Sequence, residues 1–220
     1  RPVFVVTTCP AGIIGDNLDL IKEVNGVGGQ IIPIKTDGNL AGDYLQGMIM
    51  AYIEIARTLI NKDISPEANT VNIIAEKPIA KGTEENFRFI QKLFNSLGIS
   101  INCRFICKTN LHDIKSFLKA ELNILAYEDY MGRMMKDFLQ AEYGVQFMRS
   151  PFPVGFSNTE EWLYELAGYF RKQSFVEEIV GKYRDIYQQG IERLKPVLKG
   201  KRLMVITYNH DIDWILEPVL

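Results

Sequence analysis

A chain of 220 residues, 47% hydrophobic and 24% charged, is long enough to bury the core of one large or two small domains. Its formal net charge of −2 excludes a global basic field that would attract nucleic acid. Three cysteines provide no disulfide framework, and their scarcity favours a reducing, cytoplasmic compartment. The longest apolar stretch, 44–60, contains Glu54 and Arg57 and is too short to span a bilayer, so no membrane anchor is predicted.

Patterns typical of strands and of helices alternate along the chain. The predicted strands are Val3–Val6, Gln30–Lys35, Val71–Ala75, Ser100–Cys107, Asn123–Ala126, Val145–Met148 and Lys201–Thr207. The predicted helices are Asn17–Asn25, Asp43–Asn61, Glu84–Ser96, Leu111–Leu118, Tyr130–Tyr143, 158–172 and 174–198. This alternation predicts an α/β fold with a mostly parallel, Rossmann-like sheet flanked by helices.

The order of these elements suggests three parts. We predict a Rossmann-like α/β domain at 1–155, a helical spacer or packing layer at 156–199, and the first strand and helix of a further α/β domain at 200–220. One strand and half a helix cannot bury their apolar faces alone. The chain is therefore expected to be a piece of a longer protein.

Cys9 is the leading candidate for a functional residue. It follows the first predicted strand and precedes the first predicted helix, at the carboxyl edge where open α/β sheets bind ligands. A helix amino end also favours the thiolate, which is the metal-ligating form of cysteine. The alternative is that Cys9 is a small buried hydrophobic residue. Gly12 and Gly15 lack the full G-x-G-x-x-G spacing, so dinucleotide binding is not favoured.

The other cysteines and the two histidines are weaker candidates. Cys103 and Cys107 would lie about 13 Å apart along a strand, too far for one metal ion, and we expect them to be core or surface residues. His112 and His210 have no histidine or cysteine near them in sequence. A surface or helix-capping role is favoured for His112, and less strongly for His210, which follows a predicted strand end.

A second group of candidates, Glu128, Asp129 and Arg133, opens the helix that follows the fifth predicted strand. This is again a carboxyl end, so these residues could line a pocket. The helix dipole alone also favours acidic residues near a helix start. The sequence leaves both interpretations open.

Three segments resemble the nitrogenase component 1 family. Residues 7–17, TTCPAGIIGDN, are similar to the family's cysteine segment, with Asn17 in place of its second aspartate. Residues 141–166 resemble the family's Tyr-Gly segment, its proline-containing loop and the helix after it. Residues 193–207 resemble the end of its long helix and the strand that opens the next domain. The resemblance therefore covers nearly the whole chain in order.

The resemblance implies a nitrogenase- and chelatase-like fold of repeated Rossmann-like domains, working as a heteromer with a homologous sister subunit. It also implies electron delivery by an ATP-dependent iron–sulfur reductase. Cys9 matches a family ligand of an iron–sulfur cluster near the subunit interface. Pro10 and Gly12 would then shape the turn, and Gly15 and Asp16 would start the helix that braces it.

The resemblance also implies that the other cluster ligands lie upstream of this chain. A cluster normally draws on about four cysteines, so we expect the isolated chain to hold no cluster and to be inactive.

One departure from the family narrows the expected function. The resemblance implies a cofactor-anchoring cysteine just before or within the helix matching 127–143 in a catalytic nitrogenase subunit, and this chain has none there. We therefore do not expect a dinitrogen-reducing catalytic subunit. The remaining options are a partner subunit, a non-catalytic scaffold for metal-cofactor assembly, a tetrapyrrole reductase subunit, or a further nitrogenase-like paralogue, of which the last is favoured. A metal- or tetrapyrrole-binding module of similar architecture, in which Cys9 is incidental, also stays open.

Overall fold

The computed structural model describes residues 2–23, 31–36, 42–202 and 204–206. The strands are β1 (Val3–Val6), β2 (Ile31–Ile34), β3 (Glu67–Ile74), β4 (Ser100–Arg104) and β5 (Ala120–Leu125). The α-helices are α1 (Cys9–Ile14), α2 (Tyr44–Leu59), α3 (Thr83–Ser96), α4 (Leu111–Lys115), α5 (Tyr130–Tyr143), α6 (Phe156–Phe170) and α7 (Gln173–Leu198). Short 3-10 helices cover Leu18–Glu23 and Phe117–Lys119.

The described residues divide into two compact units. The first unit comprises Arg1–Thr83 and Ile101–Phe147, and the second comprises Glu84–Ser100 and Met148–Leu220. The first unit contains the two sheets, and the second is built mainly from helices.

The first unit contains two small sheets. β1 and β2 pair in parallel, from Val3 opposite Ile31 to Val6 opposite Ile34. A separate three-stranded sheet has the order β4-β3-β5, in which β3 and β5 are parallel. The crossover connections between parallel strands require intervening segments, and helices supply them here.

A row of asparagines crosses the three-stranded sheet, one from each strand. The Asn102 amide donates to Asn72 Oδ1 (2.8 Å), and the Asn72 amide donates to Asn123 Oδ1 (2.9 Å) and to the Phe117 carbonyl (2.8 Å). Asn72 and Asn123 are fully buried. Because their polar atoms are satisfied by one another and by backbone, the core tolerates them, and the row helps to set the strand register.

The hydrophobic core of the first unit lies between these strands and α2, α4 and α5. Ile32 and Ile34 of β2, Ile74 of β3 and Met135 of α5 are all buried in it. Phe105 and Phe117 pack edge to face within the same cluster, 5.3 Å between ring centroids. Burial of this apolar surface is the main favourable contribution to the stability of the unit.

Local sequence signals explain where the main helices start and end. Asp43 caps α2 by accepting a hydrogen bond from the Gln46 backbone N–H (3.0 Å). Asn110 caps α4 in the same way through the Asp113 N–H (3.0 Å). α5 ends at Gly144, whose φ of +66° is the left-handed conformation that favours glycine.

In the second unit α3 packs against α6, and α6 against α7. Phe94 and Trp162 are buried with their ring centroids 5.7 Å apart, and Phe156 stacks on Tyr187 at 4.6 Å. The Lys172 ammonium donates to the Gly98 carbonyl (3.3 Å), joining the turn after α3 to the start of α7.

The predicted class, an α/β fold with parallel strands flanked by helices, is confirmed. The helix predicted at Tyr130–Tyr143 has the observed bounds, whereas the predicted strand Val145–Met148 is reduced to one bridge between Asn123 and Phe147. No helix in the described residues is both long and apolar enough to cross a membrane. The predicted division at 155/156 and 199/200 stays a prediction.

Two local predictions are wrong. The sequence predicts an α-helix at 17–25, but the helix after β1 begins at Cys9, and Leu18–Glu23 forms a 3-10 helix. It also predicts a strand over 201–207, but the described residues 201–202 and 204–206 are not in a strand. A strand needs a neighbouring strand for its backbone hydrogen bonds. Met204 and Ile206 are more than four-fifths exposed, so no such neighbour packs against them among the described residues.

Candidate functional site

A threonine pair joins the ends of β1 and β2 just before Cys9. The Thr7 backbone N–H donates to the Ile34 carbonyl (3.0 Å), which extends the strand pairing by one residue. The Thr36 N–H donates to Thr7 Oγ1 (3.0 Å), and the Thr36 hydroxyl donates to the Thr7 carbonyl (3.1 Å). These bonds fix the carboxyl edge from which the cysteine segment departs.

Cys9 is the first residue of the six-residue helix α1. Thr8 precedes it in extended conformation, and Pro10 occupies the first turn, where a missing N–H costs no hydrogen bond. Gly15 follows the helix in left-handed conformation (φ +74°), and its N–H donates to the carbonyls of Ala11 and Gly12. Gly12 therefore lies within a helix and not in the expected turn. Gly15 ends this helix, whereas the sequence predicted that Gly15 would start one.

The surface around this segment is apolar and exposed. Cys9 is exposed, Ile13 and Ile14 are each 73% exposed, and Val6 is 57% exposed. Three of the four residues of β1 are exposed. Such an exposed apolar surface is typical of a protein–protein contact. We call β1 together with α1 the Cys9 surface.

The other two cysteines are buried in the first unit, as expected for core residues. Cys103 is 1% exposed, and its sulfur lies 3.6 Å from Thr109 Oγ1. Burial raises the pKa of the Cys103 thiol to about 12, so it remains protonated at neutral pH. Cys107 is 2% exposed, and its sulfur accepts from the Arg104 guanidinium at 3.6 Å. Cys9 is the cysteine that an external ligand can reach.

Within the described part of the chain, no three or more histidine, cysteine, aspartate or glutamate side chains form a group that could hold a metal ion. Asp16 is exposed beyond α1, and its backbone N–H donates to the Ala11 carbonyl (3.0 Å). His112 lies in α4, and His210 lies outside the described residues.

The second predicted group, at the start of α5, has local partners. The Asp129 carboxylate caps the helix through the Gly132 N–H (3.0 Å) and pairs with Lys77 (3.0 Å). The Arg133 guanidinium donates to the Glu128 carbonyl (2.7 Å). A Cβ added at Gly132 would lie 2.0 Å from the Tyr127 carbonyl oxygen, so only glycine fits beside this turn.

An ion pair that the sequence pattern did not predict lies at the same edge of the sheet. Glu76 follows β3, and Arg104 ends β4. Their two parallel hydrogen bonds, from Arg104 Nε and Nη2, are each 2.8 Å, and the Glu76 and Arg104 side chains are only 3% and 10% exposed. A signal for Glu76 was present in the sequence, because this acidic residue follows a predicted buried strand just as Glu128 does.

The neighbouring residues give this edge its shape. Ala75, between β3 and Glu76, has a left-handed backbone (φ +62°), which is uncommon for a residue other than glycine. Lys77 lies 4.5 Å from the centroid of the Tyr127 ring, in a cation–π contact. The structure therefore places two ion pairs, Glu76–Arg104 and Lys77–Asp129, at the carboxyl ends of β3, β4 and β5, the edge where open α/β sheets bind ligands.

Comparison with known proteins identifies relatives along the whole chain. The family described as Nitrogenase component 1 type Oxidoreductase matches residues 1–220. The chain is 25% identical over 215 residues to the nitrogenase molybdenum-iron protein alpha chain of Methanosarcina barkeri, covering 92% of this chain and 38% of that protein. It is 27% identical over 176 residues to a light-independent protochlorophyllide reductase subunit of Chaetosphaeridium globosum, covering 76% of this chain and 34% of that protein.

A solved structure of nitrogenase Cp1 at pH 5 has the same fold. The TM-score is 0.73 with 19% sequence identity, and the match covers 91% of this chain and 40% of that one. The chain thus spans between about one third and two fifths of the length of these relatives. Because the family match extends from the first residue to the last, the chain belongs to the nitrogenase component 1 type oxidoreductase family.

Proposed function

We propose that the chain is part of an oxidoreductase subunit that takes electrons from an ATP-dependent iron–sulfur reductase, with Cys9 as one ligand of an iron–sulfur cluster at the contact with a homologous sister subunit. The observation that carries the proposal is the exposed Cys9 thiol at the carboxyl edge of β1, within the exposed apolar Cys9 surface. Family membership supplies the reaction class.

The residues present fit a single ligand of such a cluster. The Cys9 thiol is exposed, whereas Cys103 and Cys107 are buried. About four cysteines normally hold one cluster, so the remaining ligands would come from beyond the described residues. When bound, the cluster would supply one-electron transfer.

The chain's own residues would hold the thiol in place. Thr7 and Thr36 tie the ends of β1 and β2 together immediately before Cys9. Pro10 and Gly15 set the start and the end of α1, so the sulfur projects from a fixed position. A sister subunit would bury Val6, Ile13 and Ile14, and removal of this apolar surface from water would stabilise the complex.

Cytoplasmic location and inactivity of the isolated chain are part of the same proposal. Glu128, Asp129 and Arg133 would act by shaping the start of α5, since the Asp129 and Arg133 side chains are engaged in local hydrogen bonds. A binding role for them toward a cofactor stays a prediction.

A second candidate function is a non-catalytic scaffold that receives a metal cluster and passes it on. The favouring observation is the absence of any cysteine from 127–143, where the resemblance implies a cofactor anchor in catalytic subunits. The same fold could hold a tetrapyrrole instead. The scaffold alternative predicts that the protein supports no reductase-dependent turnover of its own. The tetrapyrrole-binding alternative predicts that the iron content of the protein is independent of Cys9.

The test is a metal analysis of the full-length protein co-expressed with its neighbouring genes and purified without oxygen. We expect Cys9→Ala to lose iron and the visible absorption of an iron–sulfur cluster. Cys103→Ala is the matched control, because it removes a buried thiol and should leave both unchanged. Equal iron content and identical spectra in the wild type and Cys9→Ala would overturn the ligand assignment.

Turnover separates the oxidoreductase from the scaffold. The coloured protein is mixed with the reductase component and ATP, and oxidation of the reductase is followed. Reductase-dependent electron uptake supports the oxidoreductase proposal. Iron bound through Cys9 without such uptake supports the scaffold.

A further inference from the structure

A cleft lies within the second unit. It has a volume of about 480 Å³ and is bounded by the loop 149–154 on one side and by α6 on the other. α6 contributes Asn158, Glu161, Trp162 and Glu165. Their spacing of i, i+3, i+4 and i+7 places these four residues on one helix face. The volume falls within the range of small-molecule binding sites.

The loop wall of the cleft is held rigidly. Glu165 Oε1 accepts from the backbone N–H groups of Arg149 (2.9 Å) and Ser150 (3.3 Å), and Oε2 accepts from the Ser150 hydroxyl (2.5 Å). Pro151 and Pro153 further restrict the backbone, because the proline ring fixes φ. The Glu165 carboxylate is therefore used internally, and the wall is formed before any ligand binds, which lowers the entropic cost of binding.

An aromatic pair supplies the apolar part of the cleft. Phe152 packs edge to face on Trp162, with 6.3 Å between the ring centroids. Trp162 is 1% exposed, and its indole N–H has no acceptor among the described residues. A buried donor without an acceptor is uncommon in folded proteins and calls for a partner such as a ligand oxygen or water.

Two opposite charges line the same cleft without neutralising each other. Neither the Arg149 guanidinium nor the Glu161 carboxylate forms an ion pair within the described part of the chain. Both residues are exposed, so a ligand can reach them. An arginine fork matches a carboxylate, and a carboxylate matches an ammonium group.

We propose that this cleft binds a free α-amino acid with an apolar side chain. The ligand's carboxylate pairs with Arg149, its ammonium group pairs with Glu161, and its side chain packs on Phe152 and Trp162. The inference is independent of Cys9 and of the proposed electron transfer.

The test is isothermal titration calorimetry on the full-length protein with three probes. L-Phenylalanine carries both charges, L-phenylalaninamide lacks the carboxylate, and 3-phenylpropionate lacks the ammonium group. We expect saturable binding of L-phenylalanine, and at least about tenfold weaker binding of each analogue, since each loses one charge-assisted contact. No saturable heat with L-phenylalanine, or equal affinity for all three, overturns the proposal.

Two variants assign the contacts. Arg149→Gln should lower the affinity for L-phenylalanine about tenfold and leave that for L-phenylalaninamide unchanged, because the amide has no carboxylate to lose. Glu161→Gln should lower the affinity for L-phenylalanine and leave that for 3-phenylpropionate unchanged. Glu178→Gln and Lys182→Gln, on α7 outside the cleft, are matched controls and should change nothing.

The reverse pattern contradicts the assignment. If Arg149→Gln and Glu161→Gln both bind L-phenylalanine as tightly as the wild type, the charged groups of the ligand do not pair with these two side chains. Thermal unfolding followed by circular dichroism verifies that the variants are folded, which we expect because both side chains are exposed.

Discussion

β1 and β3 are both parallel strands that end at candidate sites, yet their surroundings differ. Three of the four residues of β1 are exposed, whereas the last five residues of β3 are buried. Cys9 after β1 is exposed, and Glu76 after β3 is only 5% exposed and paired with Arg104. The residues at the carboxyl end of β3 are therefore buried and paired within the first unit, whereas β1 and the thiol after it are exposed.

The largest effect that separates the two regions is expected at the buried ion pair. Glu76→Gln leaves the Arg104 charge buried without its counter-charge and should lower the free energy of unfolding by about 3–5 kcal/mol. Lys62→Met is the control, because the Lys62–Glu142 pair (2.8 Å) is exposed and should contribute far less to stability. Denaturant unfolding measures both. Equal effects would mean that Glu76 is solvated like a surface carboxylate.

The next effect tests strand burial directly. Ile73, in β3, is fully buried, and Ile73→Ala should lower the free energy of unfolding by about 2–5 kcal/mol through lost burial and the cavity left behind. Val6, in β1, is 57% exposed, and Val6→Ala should cost less than about 0.5 kcal/mol. A similar cost at both positions in denaturant unfolding would contradict the exposure of β1.

A smaller effect is expected from alkaline pH. The pKa of the Cys103 thiol is raised by burial from 9.0 to about 12 in the folded protein. Between these values the unfolded chain loses the Cys103 proton and the folded chain keeps it, so stability falls as pH rises above 9. The expected loss is about 1 kcal/mol at pH 10.

Comparison of the wild type with Cys103→Ala isolates this contribution. Denaturant unfolding at pH 8 and pH 10 should show a smaller loss in the variant. Burial also raises the pKa values of Tyr52 and Tyr143, so part of the alkaline loss should persist. An identical loss in both proteins would contradict the raised pKa of Cys103.

The smallest effect on stability is expected from substitution of Cys9. Cys9 should nevertheless be the thiol that reacts fastest in the folded protein. One thiol should react rapidly with a thiol-specific reagent under native conditions, and Cys103 and Cys107 should react only on unfolding. Cys9→Ala should abolish the rapid phase and change the free energy of unfolding by less than about 0.5 kcal/mol. Rapid reaction of two or more thiols in the native protein would be the contrary result.

The alternation of strand-like and helix-like patterns predicted the fold class correctly. The sequence left Cys103 and Cys107 as core or surface residues, and the structure buries both. The predicted bounds of α5 and the predicted start of a helix at Leu111 agree with the structure. These features depend on residues close together in sequence, where capping and apolar spacing act directly. The helix starting at Cys9 was not predicted because two glycines and a proline suggested a turn, although proline is tolerated in a first turn and glycine in the position after the last.

The sequence by itself determined the strand–helix alternation, the family resemblance and the position of Cys9 at the end of the first strand. Only the tertiary structure decided which side chains are exposed and which are paired. It brought Glu76, 28 residues away in sequence, to Arg104, and it enclosed a cleft between the 149–154 loop and α6. Such contacts join segments that local pattern cannot relate, because they depend on how the elements pack rather than on the propensities within each element.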